Sequence, residues 1–153
     1  MKILLAVDGS PYSDQAVHSV VQRPWPEGTT VRVLSVAPPI GTPAVGELMY
    51  AGGELDNLLE QTRRKARRVS SEAAERLRSS GLSAEEVTRE GDPRSEIVEE
   101  AEQWSADLIV LGSHGYTGLK KWLLGSIAQS VVSHAPCSVE VVRPKVPGDQ
   151  LKS

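Results

Sequence analysis

The chain has 153 residues, 39% hydrophobic and 24% charged, a balance that suits one globular unit with a real core and suggests neither disorder nor a membrane span. A net charge of -3 argues against a general nucleic-acid binder, and a single cysteine, Cys137, excludes an internal disulfide framework and a cysteine metal cluster. The apolar run after Met1 is too short for a signal peptide and no run approaches the roughly 20 residues of a membrane helix, so the cytoplasm is the expected location.

"KILLAVD" (Lys2 to Asp8) is a continuous apolar run, the pattern of a strand buried on both faces. "SPYSDQAVHSVVQR" follows as a helix, with Ser10 as its cap, Pro11 in its first turn and an apolar stripe of Ala16, Val17, Val20 and Val21. "TTVRVLSVA" is β-branched and strand-like, ending near Val36. From Pro38 to Gly53 the chain is rich in Pro and Gly, which predicts a long loop or flap. The period from Leu55 to Ser80 is helical, placing Leu55, Leu58, Leu59, Ala66, Val69, Ala73 and Leu77 on one side; Gly81 stops it. Its outer arginines, Arg63, Arg64, Arg67 and Arg68, read as a solvated face with partners such as Glu60 and Glu72. "SAEEVTREG" is a weaker strand, and "DPRSEIVEEAEQW" a helix capped by Asp92 with Pro93 at its first position. "ADLIVLG" is the most apolar strand, "SIAQSVVSHA" a helix, and "SVEVVRP" a last strand closed by Pro144. Alternating strands and helices imply an α/β fold, an open parallel sheet with helices on both faces. Residues 1–144 read as one domain and 145–153 as a loose tail.

In such sheets ligands bind beyond the carboxyl ends of the strands, where strand order reverses. Two segments compete for that place: "VDGS" after the first strand and "GSHG" after the fourth. Glycines let backbone amides approach an anion, and the helix opening at Gly125 and Ser126 offers free amides and a favourable dipole. Asp8, ending a buried strand, can accept from a sugar hydroxyl or merely cap the helix that begins near Ser10. A simple turn would not require both Gly115 and Gly125. The Walker A pattern is missing, since Ser126 and Ile127 follow Gly125, and the dinucleotide fingerprint fails because only Gly9 follows the first strand. Trp104 and Trp122 read as packing residues, Cys137 as a small hydrophobe, and Lys120 and Lys121 as solvated.

The spacing Gly112, two residues, Gly115, nine residues, then Gly125 and Ser126, together with "VDGS", resembles the ATP-binding branch of the universal stress protein family. The resemblance runs from Met1 to about Arg143. It implies a five-stranded Rossmann-like sheet in the order 3-2-1-4-5, related to the adenine nucleotide alpha hydrolase-like folds and commonly paired as a homodimer through the last strand. It implies ATP, with Mg2+ carried by the nucleotide, as the ligand. Ala6, Val7 and Val36 would border adenine and Asp8 would contact ribose. Leu111, Gly112, His114 and Gly115 would wrap ribose and phosphates, and Gly125, Ser126 and Ile127 would hold the distal phosphates. The chain departs from the family pattern at Ala128, where a second hydroxyl is common, and at Glu140, which puts a charge on an edge strand that would point to solvent or meet an arginine such as Arg143 across a dyad.

Phosphoryl transfer needs metal-holding carboxylates and a base or cationic clamp. Asp8 is the single carboxylate that the reading brings to the crevice, and neither an "SGGxDS" nor a "HIGH"-type loop is present. A phospho-accepting receiver would need an acidic pair after the first strand. The reading is therefore an ATP-binding stress-response regulatory protein with little or no turnover; a slow ATPase or a nucleotidyl- or phosphoryl-transfer enzyme on the same fold is the alternative.

Overall fold

A computed structural model describes residues 1–39, 41, 43–50, 52, 54–115 and 123–145. Its elements run β1 (Lys2–Ala6), α1 (Pro11–Gln22), β2 (Thr30–Ala37), α2 (Pro43–Tyr50), α3 (Leu55–Ser79), β3 (Ser83–Glu90), α4 (Pro93–Trp104), β4 (Leu108–Gly112), α5 (Ser126–His134) and β5 (Ser138–Val142). The strands form one five-stranded sheet in the order β3-β2-β1-β4-β5, and every pairing is parallel. The predicted order is the observed one.

β1 is the centre, with Leu5 registered to Val33 of β2 on one side and to Val110 of β4 on the other. Alternation then divides the core into two layers. Ile3 and Leu5 face α1 and α3, meeting Val17, Val20, Ala73 and Leu77. Leu4 and Ala6 face α4 and α5, meeting Ile97, Ala101 and Val131. Ile3, Leu4 and Leu5 are wholly buried, each worth about 1.5–3 kcal/mol of transfer free energy at the upper bound. This double burial is what the unbroken apolar run of β1 encodes.

The caps form as the sequence requires. The Ser10 side chain accepts from the Ser13 amide, 3.2 Å, and Asp92 accepts from the Arg94 amide, 3.0 Å. Gly81, at φ +93°, turns the chain out of α3. The α3 arginines pair as expected: Arg64 and Arg67 with Glu60, and Arg68 with Glu72, while Arg63 reaches Glu90 of β3. Along the predicted apolar side of α3, Leu55 is exposed and Leu59 half-buried, so the buried stripe begins at Leu58.

Two expectations are corrected. The segment from Pro38 to Gly53 is not all loop, because it contains α2. Pro43 stands at the first position of that helix, where its fixed φ and missing amide cost nothing, and Ala, Glu, Leu and Met carry the rest. Glu140 does not wait for an arginine across a dyad. Arg23 of α1 binds its carboxylate with two hydrogen bonds, 2.9 and 2.8 Å. Trp104 packs against the α4–α5 layer with the Arg32 guanidinium 4.4 Å from its ring centroid. Cys137 is partly buried in the same layer. Lys120, Lys121, Trp122 and residues 146–153 lie outside the described residues.

Candidate functional site

β1 and β4 are neighbours, so the chain segments that leave their carboxyl ends meet over the sheet. Between them lies a crevice whose empty space, about 550 Å3, runs out into open solvent. Ala6, Val7 and Asp8 line it from the end of β1, and Val36 from β2. Leu111, Gly112 and His114 line it from β4 and its exit, and Gly125 and Ile127 from the start of α5. Gly115 sits just beside it: a Cβ there would lie 3.0 Å from Asp8 Oδ2. Ser126 is the first residue of α5 and is exposed, next to the lining rather than in it.

Asp8 is partly buried and doubly used. Its Oδ1 accepts from the Ser10 amide, 2.8 Å, closing the turn into α1. Its Oδ2 is turned toward Gly115. One oxygen thus holds the turn ahead of α1, whose cap is Ser10 rather than Asp8, and the other faces the crevice. The Asp8 amide donates to Ser13 Oγ, 3.3 Å, and that hydroxyl donates to Ser10 O, 3.2 Å. Ser13 lines the crevice too. Nothing in the sequence separates it from any other helix serine.

The two helix starts differ in a way that bears on chemistry. α1 is capped by its own serine, which takes the Ser13 amide, while Asp8 takes the Ser10 amide and Pro11 has none to offer. α5 has no side-chain cap. Its first-turn amides, at Ser126, Ile127 and Ala128, have no intrahelical acceptor and open on the crevice that Gly125, Ile127 and Ala128 line. The Gly125 amide is not among the available donors, since it donates to Ser113 O at 2.8 Å.

The glycines have partly different reasons from those expected. A Cβ on Gly112 would lie 2.7 Å from the backbone carbonyl of Tyr12, and one on Gly125 would lie 3.1 Å from Ser113 O. Gly112 is therefore demanded by packing of the chain on itself, and Gly125 is tightly packed against backbone, a structural reason beyond the simple turn that the sequence reading weighed. Among the described residues, Gly115 meets only a carboxylate side chain. His114 is buried, its Nδ1 2.9 Å from Ser113 Oγ and its ring 5.0 Å from that of Tyr12. The ring is built into the wall.

The opposite wall is apolar. Leu34, Pro93 and Ile97, absent from the sequence-derived set, line it with Ala6, Val36 and Ile127. Ala128 is also in the lining and 2% exposed, so a methyl stands where the family pattern often has a hydroxyl. Asp8 is the one carboxylate in the lining among the described residues, where no three His, Cys, Asp or Glu side chains converge to hold a metal ion.

A sequence model of the universal stress protein family matches residues 1–143. The chain belongs to the universal stress protein family. Universal stress protein MJ0531 of Methanocaldococcus jannaschii is 34% identical over 93% of this chain and 81% of its own length. Among solved structures, MJ0577, a universal stress protein of the same organism, is 27% identical and superposes with a TM-score of 0.80, covering 95% of this chain and 97% of that one. A universal stress protein family protein of Arabidopsis thaliana, solved with AMP bound, is 16% identical with a TM-score of 0.70, over 100% of this chain and 99% of that one. At that identity it shares the universal stress protein fold alone.

Proposed function

We propose that the crevice binds an adenine nucleotide, ATP by preference, and that the protein is an ATP-dependent regulatory member of its family. The observation that carries the reading is the contrast between the helix starts: α1 has a serine cap on its first turn, whereas α5 has no side-chain cap among the described residues and opens its first turn on the crevice. A helix start in that state suits phosphate, by its amides and by its dipole. The apolar wall of Leu34, Val36 and Ile97 suits a purine. Asp8, with one oxygen held by Ser10 and the other facing inward, suits a ribose hydroxyl. The Arabidopsis structure of the same fold holds AMP, which agrees with this assignment.

The donor set fits the nucleotide residue by residue. Val7 and Val36 border the base and Asp8 orients the sugar. The Gly112–Gly115 backbone and the amides of Ser126 and Ile127 take the phosphates. Mg2+ would arrive on the phosphate oxygens and supply charge neutralisation there. A lone carboxylate already shared with Ser10 is a poor base, so the site holds ATP rather than turning it over. Phosphate release in a steady-state assay with magnesium should fall far below the roughly 1–100 per second of kinases. Rapid release that Asp8→Asn abolishes would replace this reading with an enzyme.

We also propose a homodimer through β5, and the cytoplasm as the place of action. β5 closes one edge of the sheet, and antiparallel pairing of two such edges satisfies a two-fold axis. The internal Arg23–Glu140 pair removes the charge that would otherwise oppose it.

A further inference from the structure

Beyond Asp8 the crevice opens into a second chamber of about 810 Å3, also open to solvent. The two share Asp8, Val36, Pro93 and Ile127. What the second adds comes from the α3 side of the sheet: Ser35 of β2, and Thr62, Lys65, Ala66 and Val69 of α3. Its polar groups are few and specific. Ser35 is 2% exposed, yet among the described residues its hydroxyl makes no hydrogen bond, and its oxygen is not sealed from the chamber. Buried hydroxyls ordinarily have partners, so the partner of this one belongs in the chamber. Thr62 is already engaged, its hydroxyl donating to Leu59 O at 2.8 Å. Lys65 brings the cation.

Asp8 stands at the junction. Its Oδ2 is turned toward Gly115, on the β4 side, whereas Lys65 enters from α3, on the β2 side. An anion in the second chamber would meet the ammonium and the Ser35 hydroxyl, with the Asp8 carboxylate at its edge and Oδ2 turned to the other side.

We propose that this chamber receives a phosphate ester on the 2′ or 3′ oxygen of the bound adenine nucleotide, with Lys65 as counter-ion and Ser35 as hydrogen-bond donor. The inference rests on the reading above that Asp8 meets the ribose, because a sugar held there presents those oxygens at the junction of the two chambers. The family member would then discriminate among adenine nucleotides at the sugar as well as at the phosphate chain.

Calorimetry on the full chain with AMP, adenosine 3′,5′-bisphosphate and adenosine 2′,5′-bisphosphate tests it. At least one bisphosphate should bind roughly tenfold tighter than AMP, as one charge-assisted contact allows. The isomer that gains identifies the oxygen. Lys65→Ala, at an exposed position, should remove that gain and leave AMP affinity unchanged; Ser35→Ala should reduce the gain severalfold. If both bisphosphates bind more weakly than AMP, or if Lys65→Ala weakens AMP and bisphosphate alike, the chamber does not read the ribose ester, and the nucleotide reading stands without it. If neither AMP nor ATP binds at all, the nucleotide reading falls, and this inference with it.

Discussion

Gly112, Gly115 and Gly125, between the end of β4 and the start of α5, show how one residue type answers two demands. At Gly112 and Gly125 the missing Cβ admits other backbone, from Tyr12 and Ser113. At Gly115 it admits the Asp8 carboxylate. A variant at Gly125 therefore perturbs loop packing and ligand contact together, and Gly115 is the cleaner probe. Gly115→Asp should abolish ATP binding by setting a second carboxylate against Asp8 and the phosphate path, while thermal stability stays within a few degrees of wild type, a shift of about 1 kcal/mol. Unchanged calorimetric affinity in that variant would remove this loop from the site. Cys137 is a different case at the same scale: burial, and after it the charge of Asp107, pushes its thiol above the ordinary range. It is a packing residue and a poor nucleophile.

The start of α4 rests on Asp92. Its carboxylate accepts from the Arg94 side chain, at 2.8 Å to Nη2, and from the Arg94 amide. The side-chain bond first, and the amide bond with it, hold this carboxyl below the usual range. A depressed carboxylate contributes stability that is whole above its unfolded value of about 3.9 and is lost as pH falls through the lower folded value. Asp92→Ala should cost about 0.5–1 kcal/mol at neutral pH, the low end for a cap because Asp92 is 41% exposed at its side chain. The difference between the two proteins in thermal melts should shrink steadily as pH falls below about 3.9; a difference that stays constant there would mean that the carboxylate is not what stabilises the helix start. This cap was legible because Asp-Pro followed by a helical period is a local signal. β1, β4 and the parallel α/β class were legible for the same reason, as unbroken apolar runs alternating with helical periods, whereas the strand order was legible only through the family resemblance carried by the Gly112–Ser126 spacing. α2 was not, because Pro and Gly read as loop until Pro43 is seen to occupy a first helical position. The Gly112 and Gly125 contacts, the Arg23–Glu140 pair, and Glu100 held between Arg32 and Arg89 at 3% exposure were not either. Each joins segments distant in sequence, so no local pattern carries it.

For the whole molecule, the sheet has one edge at β3 and the other at β5. β3 carries Glu85, Glu86 and Glu90, charges that discourage pairing of edges. β5 carries Val139, Val141 and Val142, with its one acid held by Arg23. The asymmetry favours assembly at β5. Val141→Pro, which removes a backbone donor on that strand, should convert dimers to monomers in sedimentation; a variant that stays dimeric would move the interface elsewhere. Neither edge alters the central claim, that the crevice over β1 and β4 holds an adenine nucleotide intact. Mass spectrometry of the purified protein, native and then denatured, tests that claim most directly. Adenine nucleotide should be released on denaturation, predominantly as ATP and at no more than one per chain. Protein that carries no nucleotide as isolated, and takes up none when millimolar ATP is added, would contradict it.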